Sequence, residues 1–286
     1  LEEEKKNSKL LLEGALEGNL EKVKYALDNY ANIEARNKLG NTPLHHASDW
    51  GHTDVVRILL DAGAEIEARD KFGNTPLHIA SIEGHTDVVQ FLIEAGAIVN
   101  ITNKNNITPL IYASLYGRSK IVEKLLIAGA EIEAEDKEGR RSLHLASDRG
   151  NLDMIRILLE KGAEIEATNN LGMTPLHHAS DWGHTDVVKI LLDADAEIEA
   201  KDKKGWTPLL KASWRNNSDV VQFLLDAGAE IEATDEKGYT PLHMASIWGY
   251  AYMVKILLQK GANIDATDNN DQTPLHLAIE NRHPNI

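Results

Sequence analysis

Thr-Pro-Leu recurs at Thr42, Thr75, Thr108, Thr174, Thr207, Thr240 and Thr273, at intervals of 33 residues or, between Thr108 and Thr174, twice 33. The missing copy falls at Arg141-Ser142-Leu143-His144, a degraded version in the same phase. One further step back lands on Lys9-Leu10-Leu11-Leu12, where the phase survives without the motif. No insertion or deletion interrupts the period. A fixed period of this length marks a stacked repeat architecture, in which each unit is too thin to bury its own apolar face and its neighbours supply the core.

Each unit reads alike. Thr42 suits an N-cap and Pro43 the first helical position, so a short helix runs through Leu44-His45-His46-Ala47-Ser48-Asp49-Trp50 and stops near Gly51. A second helix follows over His52-Thr53-Asp54-Val55-Val56-Arg57-Ile58-Leu59-Leu60, with Asp54 placed to complement the helix dipole. Gly63 sits where a helix end needs positive φ. Ala64-Glu65-Ile66-Glu67-Ala68 alternates as an extended segment would, and Lys71-Phe72-Gly73-Asn74 has the composition of a turn tip.

The period together with Thr-Pro-Leu-His-x-Ala resembles the ankyrin repeats, over essentially the whole chain. The resemblance implies an all-α repeat solenoid: a curved right-handed stack of antiparallel helix pairs with projecting β-hairpin loops. It implies one repeat domain over residues 1–286, with an N-terminal capping repeat over 1–40, seven full repeats over 41–271 and a partial repeat or cap over 272–286. It also implies that the signature histidines His45, His78, His144, His177, His243 and His276 tie neighbouring loops by hydrogen bonds. The surface that binds other proteins is expected on the concave side, formed by loops and first helices.

Departures from the pattern are mild. Glu2, Glu3, Glu4, Lys5 and Lys6 precede the first unit, as a polar cap requires. Asp195 replaces a helix-ending glycine, and Asn106 and Asp271 replace loop-tip glycines; Asn and Asp tolerate positive φ best among the other residues. Ile111 and Leu210 replace the signature histidine. The chain opens on Leu1, as a fragment of a longer protein would, and its last unit ends at His283-Pro284-Asn285-Ile286, either a cap or a unit that continues.

Thirty basic residues against 45 acidic give a net charge of −15, which argues against nucleic acid, whose phosphates are bound mainly through Lys and Arg. With no cysteine, disulfides, thiolate metal sites and a Cys nucleophile are excluded. No apolar run approaches a membrane span, and LEEEKKNSKL carries no signal-peptide core. A soluble, intracellular, cytoplasmic monomer is expected.

Signature histidines one repeat apart lie roughly 10 Å from one another by helix-packing distance, too far to share a zinc that each must approach within about 2.1 Å. Glu65/Glu67, Glu131/Glu133, Glu164/Glu166, Glu197/Glu199 and Glu230/Glu232 recur in most units. A recurring pair is a solvated acidic edge, not a single active site, and favours a partner with a basic or mixed surface. At the second Glu position only Asn100 keeps asparagine, the one candidate for the hydroxylation known in the family. Ser48, His45 and Asp49 share one short helix and cannot converge as a triad. Neither a P-loop nor a G-x-S-x-G elbow is present. No enzyme, no metal and no cofactor are expected.

Aligning the units against one another separates a constant framework from variable columns. Leu59, Leu92, Leu125, Leu158, Leu191, Leu224 and Leu257 never change and mark the core, which Phe91 and Phe223 are expected to join. All five tryptophans fall in variable columns: Trp50, Trp182, Trp214 and Trp248 at the end of the first helix or beside it, and Trp206 after the loop glycine. Phe72, Tyr116 and Tyr239 join them, with Arg149, Lys204, Arg215 and Lys237 in the same columns. Trp, Tyr and Arg are the residues that anchor interfaces, so Trp50, Phe72, Tyr116, Arg149, Trp182, Trp206, Trp214, Arg215, Tyr239 and Trp248 form the expected protein-binding set. Four of the tryptophans lie between 182 and 248, which puts the energetic centre there. Thr42–Ala68 and Thr174–Ala200 differ only at Arg57/Lys189 and Gly63/Asp195, a duplication that presents Ser48-Asp49-Trp50 twice. The leading expectation is a non-catalytic scaffold binding a protein or extended peptide. Its rivals are a structural spacer between flanking domains and an engineered ankyrin-based binder.

Overall fold

The computed structural model describes residues 2–286, which divide into two compact units, one up to residue 137 and one from 138 onward. The first unit opens with a long helix, α1 (Glu2–Glu17), and its short partner α2 (Leu20–Asp28). Three helix pairs follow: α3 (Pro43–Asp49) with α4 (Thr53–Asp61), α5 (Pro76–Glu83) with α6 (Thr86–Glu94), and α7 (Pro109–Leu115) with α8 (Ser119–Ile127). The second unit holds α9 (Ser142–Arg149), α10 (Leu152–Glu160), α11 (Pro175–Trp182), α12 (Thr185–Asp193), α13 (Pro208–Trp214), α14 (Ser218–Asp226), α15 (Pro241–Trp248), α16 (Ala251–Gln259) and α17 (Pro274–Glu280). Within each unit, first helices stack on first helices and second helices on second helices, the layout of an all-helical repeat solenoid.

The sequence accounts for both layers. Ala47, Ala80, Ala113, Ala146, Ala179, Ala212 and Ala245 are sealed from solvent in the first helices. A side chain of one methyl lets those helices approach closely. The constant leucines of the second helices, Leu59 through Leu257, are also fully buried and fill the space between the layers. Phe91 and Phe223 differ from expectation. Both are only half-buried, and the Arg57 guanidinium lies over the Phe91 ring at 4.7 Å, so this column packs at the outer margin of the second helices. Asn106, Asp195 and Asp271 take positive φ (58°, 66° and 59°), as their columns require.

The loops are turns, not hairpins with a strand ladder; among the described residues there is no strand. A tip is closed by two short-span backbone bonds, as Asp70 N donates to Asn74 O and Gly73 N to Asp70 O (3.0 Å each), and leans on the preceding tip through one more, as Lys71 N donates to Leu39 O (3.0 Å). One bond per neighbour is too few for a ladder. Glu65–Ala68 is likewise a turn closed by Ala68 N to Glu65 O (3.1 Å), where extended backbone was expected.

That turn changes the reading of the glutamate pairs. The first glutamate of each pair is exposed. The second faces the following repeat: Glu67 Oε1 accepts from Ile98 N (2.6 Å), Glu166 from Glu197 N, Glu199 from Glu230 N and Glu232 from Asn263 N (each 2.8 Å). Glu34 does the same for Glu65 N (2.8 Å). These carboxylates cap the next turn, so the acidic edge is one carboxylate per unit, not two. Asn100 accepts from Glu131 N (2.9 Å) and also donates to Gly129 O (3.1 Å), a second bond that a carboxylate cannot make.

The signature histidines hold the loops. Thr42 N donates to His45 Nδ1 (3.2 Å) while His45 N approaches Thr42 Oγ1 (3.4 Å), a reciprocal cap of the first turn. Because Nδ1 accepts, the ring proton sits on Nε2, which donates to Asn74 O in the next loop at 3.0 Å. His78 reaches Ile107 O (2.9 Å), His144 Met173 O (3.0 Å), His177 Trp206 O (2.8 Å) and His243 Gln272 O (3.1 Å). Both nitrogens of each ring are therefore engaged. Ile111 and Leu210 fill the same slot as fully buried apolar groups.

Burial pushes His78, His144 and His177 down to about 4 and lowers His45 and His243 in the same direction. An imidazole that stays neutral when folded but protonates near pH 6.5 when unfolded makes unfolding take up protons. Stability is thus full above about pH 6.5 and is lost as pH falls toward 4. The expected outcome in urea titrations is a midpoint that drops steadily between pH 6.5 and 5, above the range of ordinary carboxylates. Near pH 5 the fitted slope should report an uptake of about three or more protons per molecule on unfolding.

Candidate functional site

In the second unit the variable columns build a groove of about 510 Å³ between loop tips and first helices. Its walls are Trp206 and Tyr239, each just after a loop glycine, and Trp214 at the end of α13; Met244 and Ile247 of α15 also line it. Lys204, Asp235, Glu236 and Lys237 border it from the loop tips. The tryptophans form a run of edge-to-face contacts. Trp206 and Trp214 have ring centroids 5.3 Å apart at 66°, and Trp214 and Trp248 4.9 Å apart at 89°. Such pairs contribute roughly 1 kcal/mol each beyond their area burial, which keeps the large rings in place without a ligand.

The loop that carries Trp206 is held from three directions. His177 donates to its carbonyl, as above. Asp202 Oδ1 accepts from Lys204 N and Trp206 N (2.9 Å each), and Asp202 Oδ2 pairs with Lys211 Nζ at 2.9 Å. Lys211 also places its ammonium 4.8 Å from the centre of the Trp206 ring. Burial opposes the Asp202 charge, yet the hydrogen bonds from Lys211, Trp206 N and Lys204 N outweigh it and hold the carboxyl below the usual range. Burial, with the charges of Asp268, Asp235 and Glu280, pushes the Tyr239 hydroxyl up.

The expected binding set divides between the units. Trp50 (58% exposed), Phe72 and Tyr116 belong to the first unit, Trp50 and Tyr116 as helix caps and Phe72 on a loop tip. In the second, Trp182 ends α11 and stands 62% exposed, and Arg149 is exposed at the end of α9. Arg215 forms a two-pronged pair with Asp181 (3.0 and 3.2 Å). Only Trp206, Trp214 and Tyr239 line the groove, with Trp248 packed against Trp214. The two copies of Ser-Asp-Trp do not share surroundings. Asp181 is clasped by Arg215, whereas the residue one repeat after Trp50 is Glu83.

Lys211 and Asp202 escaped the sequence reading, although the signal existed. The column of His46, Ile79, Tyr112, Leu145, His178, Lys211 and Met244 changes at every step, unlike the constant alanine column beside it, although Leu145, His178 and Met244 are buried. A second set of ties was also missed: His85 Nε2 donates to Asp49 O (2.8 Å), His184 to Asp148 O (2.8 Å) and His283 to Ile247 O (2.9 Å), joining the segment after one first helix to the first helix of the preceding repeat. Gly51 is needed there, because a Cβ would stand 2.5 Å from His85 Nδ1.

Two family models match the chain. One, described as ankyrin repeats (3 copies), matches residues 66–136, 99–169, 122–202, 143–235 and 232–286, and the other, ankyrin repeats (many copies), matches 27–80. No curated protein matches the chain. No described helix is long and apolar enough to cross a membrane.

Lys211→Met removes the partner of a carboxylate that is 3% exposed. It should lower stability by about 3 kcal/mol at pH 7, the typical cost of an orphaned buried charge. Because Asp202 without Lys211 can shed its unpaired charge by taking up a proton, whereas the parent's carboxyl is held below the usual range, the loss should shrink at acid pH. Denaturant melts of both proteins at pH 7 and pH 3.5 measure the difference.

Proposed function

Because the chain belongs to the ankyrin repeat family, whose repeats generally mediate protein–protein interaction, we propose that it is a non-catalytic scaffold that grips a protein or extended peptide through the aromatic groove of its second unit. The observation that carries this reading is the concentration of Trp206, Trp214 and Tyr239 around one open groove, with Trp248 bracing Trp214. Large aromatic rings around a groove are what an interface core uses for its anchors. The loops that present them are fixed by buried hydrogen bonds, so little ordering entropy is left to oppose binding. Trp50, Phe72, Tyr116, Arg149, Trp182 and Arg215 act as peripheral contacts in this reading, and the protein works as a monomer.

The double substitution Trp206→Ala with Trp214→Ala tests it. The parent and variant, immobilised in parallel, should differ by at least one retained protein from a cell lysate, while their helical circular dichroism matches. Identical retained profiles would remove the aromatics from the binding surface and leave the array as a spacer.

A further inference from the structure

The rim of the groove carries two lysines that set its loop tips apart from those of the other units. Against a net charge of −15, the loop before Trp206 reads Lys201-Asp202-Lys203-Lys204, and Asp202 is turned inward to Lys211. Lys204 and Lys237 occupy the same loop-tip column one repeat apart, where the other units have Leu39, Phe72, Asn105, Glu138, Leu171 and Asn270. Their spacing is set by the backbone: Glu236 N donates to Lys204 O (3.2 Å) and Asn269 N to Lys237 O (3.0 Å). Both lysines are exposed.

The carboxylates nearby are largely committed. Asp235 Oδ1 accepts from Lys237 N and Tyr239 N (2.9 Å each), Asp268 Oδ1 from Asn270 N and Gln272 N (2.8 and 2.9 Å), and Glu280 from Gln272 Nε2 (3.3 Å). Asp235 and Glu236 both line the groove beside the two ammonium groups; Asp235 is half-buried with Oδ1 tied to two backbone N–H groups, and Glu236 is exposed. Beneath this rim the surface is apolar: Trp206, Trp214, Met244 and Ile247. The volume suits one or two side chains of an extended segment.

We infer that the groove recognises an acidic segment of its protein partner, an aromatic or large aliphatic side chain seated against Trp206, Trp214 and Tyr239 with a neighbouring aspartate or glutamate held between Lys204 and Lys237. This rests on the scaffold reading and refines it. The sequence expectation of a basic or mixed partner came from paired glutamates, and Glu67, Glu166, Glu199 and Glu232 among them cap the following turn. The partner thus meets the exposed first glutamates with whatever basic surface it has, and the groove with an acidic stretch.

The test is an immobilised array of synthetic peptides, each with Phe, Leu or Trp flanked on both sides by Glu, by Gln or by Lys within a Gly-Ser context. The array is probed with the parent, with Lys204→Glu/Lys237→Glu and with Trp206→Ala/Trp214→Ala. Both lysines are exposed, so the charge-reversed variant keeps its fold. The parent should retain Glu-flanked peptides about tenfold over Gln-flanked ones, the ratio two rim ion pairs sustain, with the preference fading at high salt. The charge-reversed variant should prefer the Lys-flanked set, and the tryptophan variant should retain none. A parent that prefers Lys- or Gln-flanked peptides, with that retention lost in the tryptophan variant, would overturn the acidic partner and leave the scaffold standing. Equal retention by the parent and the tryptophan variant, or none by either, would overturn both.

Discussion

The bond from a buried histidine Nε2 to a carbonyl 29 residues ahead is the interaction on which the rest of the structure depends. One ring caps its own helix through Nδ1 and fixes the next loop through Nε2, so helix start and loop position are set by the same side chain. The two bonds coexist only while the imidazole is neutral, because a protonated Nδ1 cannot accept from the threonine N–H. Burial supplies that neutrality. A solenoid unit has no core of its own, and ties of this kind, repeated, convert a series of thin units into a stack with fixed spacing.

The site inherits its geometry from those ties. His177 holds the carbonyl of Trp206, Asp202 holds its N–H, and Lys211 bridges Asp202 to the indole face. The variable residue is thereby presented on an invariant frame. The aromatic residues are free to differ from repeat to repeat because the backbone beneath them does not rely on their side chains. Where the frame residue is absent, at Leu210, close apolar packing fills the slot, and the loop that carries Tyr239 keeps the bond to Asp235 that matches the one from Trp206 N to Asp202.

Much of this was legible in the amino-acid sequence because it is local. A threonine before proline starts a helix, and Asn106, Asp195 and Asp271 take positive φ because a left-handed residue is required wherever glycine stands in the other units. What escaped was non-local. Glu67 and Glu65 look equivalent in a sequence, yet only Glu67 reaches a backbone N–H 31 residues on, and a turn that reverses the chain between them decides which. Lys211 is one lysine among many until Asp202 and Trp206 are placed on either side of it. The aromatic residues were visible as unusual, and the stretch from Trp182 to Trp248 as their centre, but the shape of the surface was needed to single out the three that share a groove. Phe91 illustrates the converse: an apolar residue in a repeating column that packs only halfway, under an arginine.

The most direct measurement is a nitrogen-detected magnetic resonance titration of the imidazoles from pH 7.5 to 4.5. His177, His144 and His78 should show the Nε2–H neutral tautomer throughout, with no midpoint above pH 5. Titration of the three buried rings near pH 6.5, or an Nδ1–H tautomer, would contradict the claim that a neutral histidine bond orders the loops and, through them, the groove.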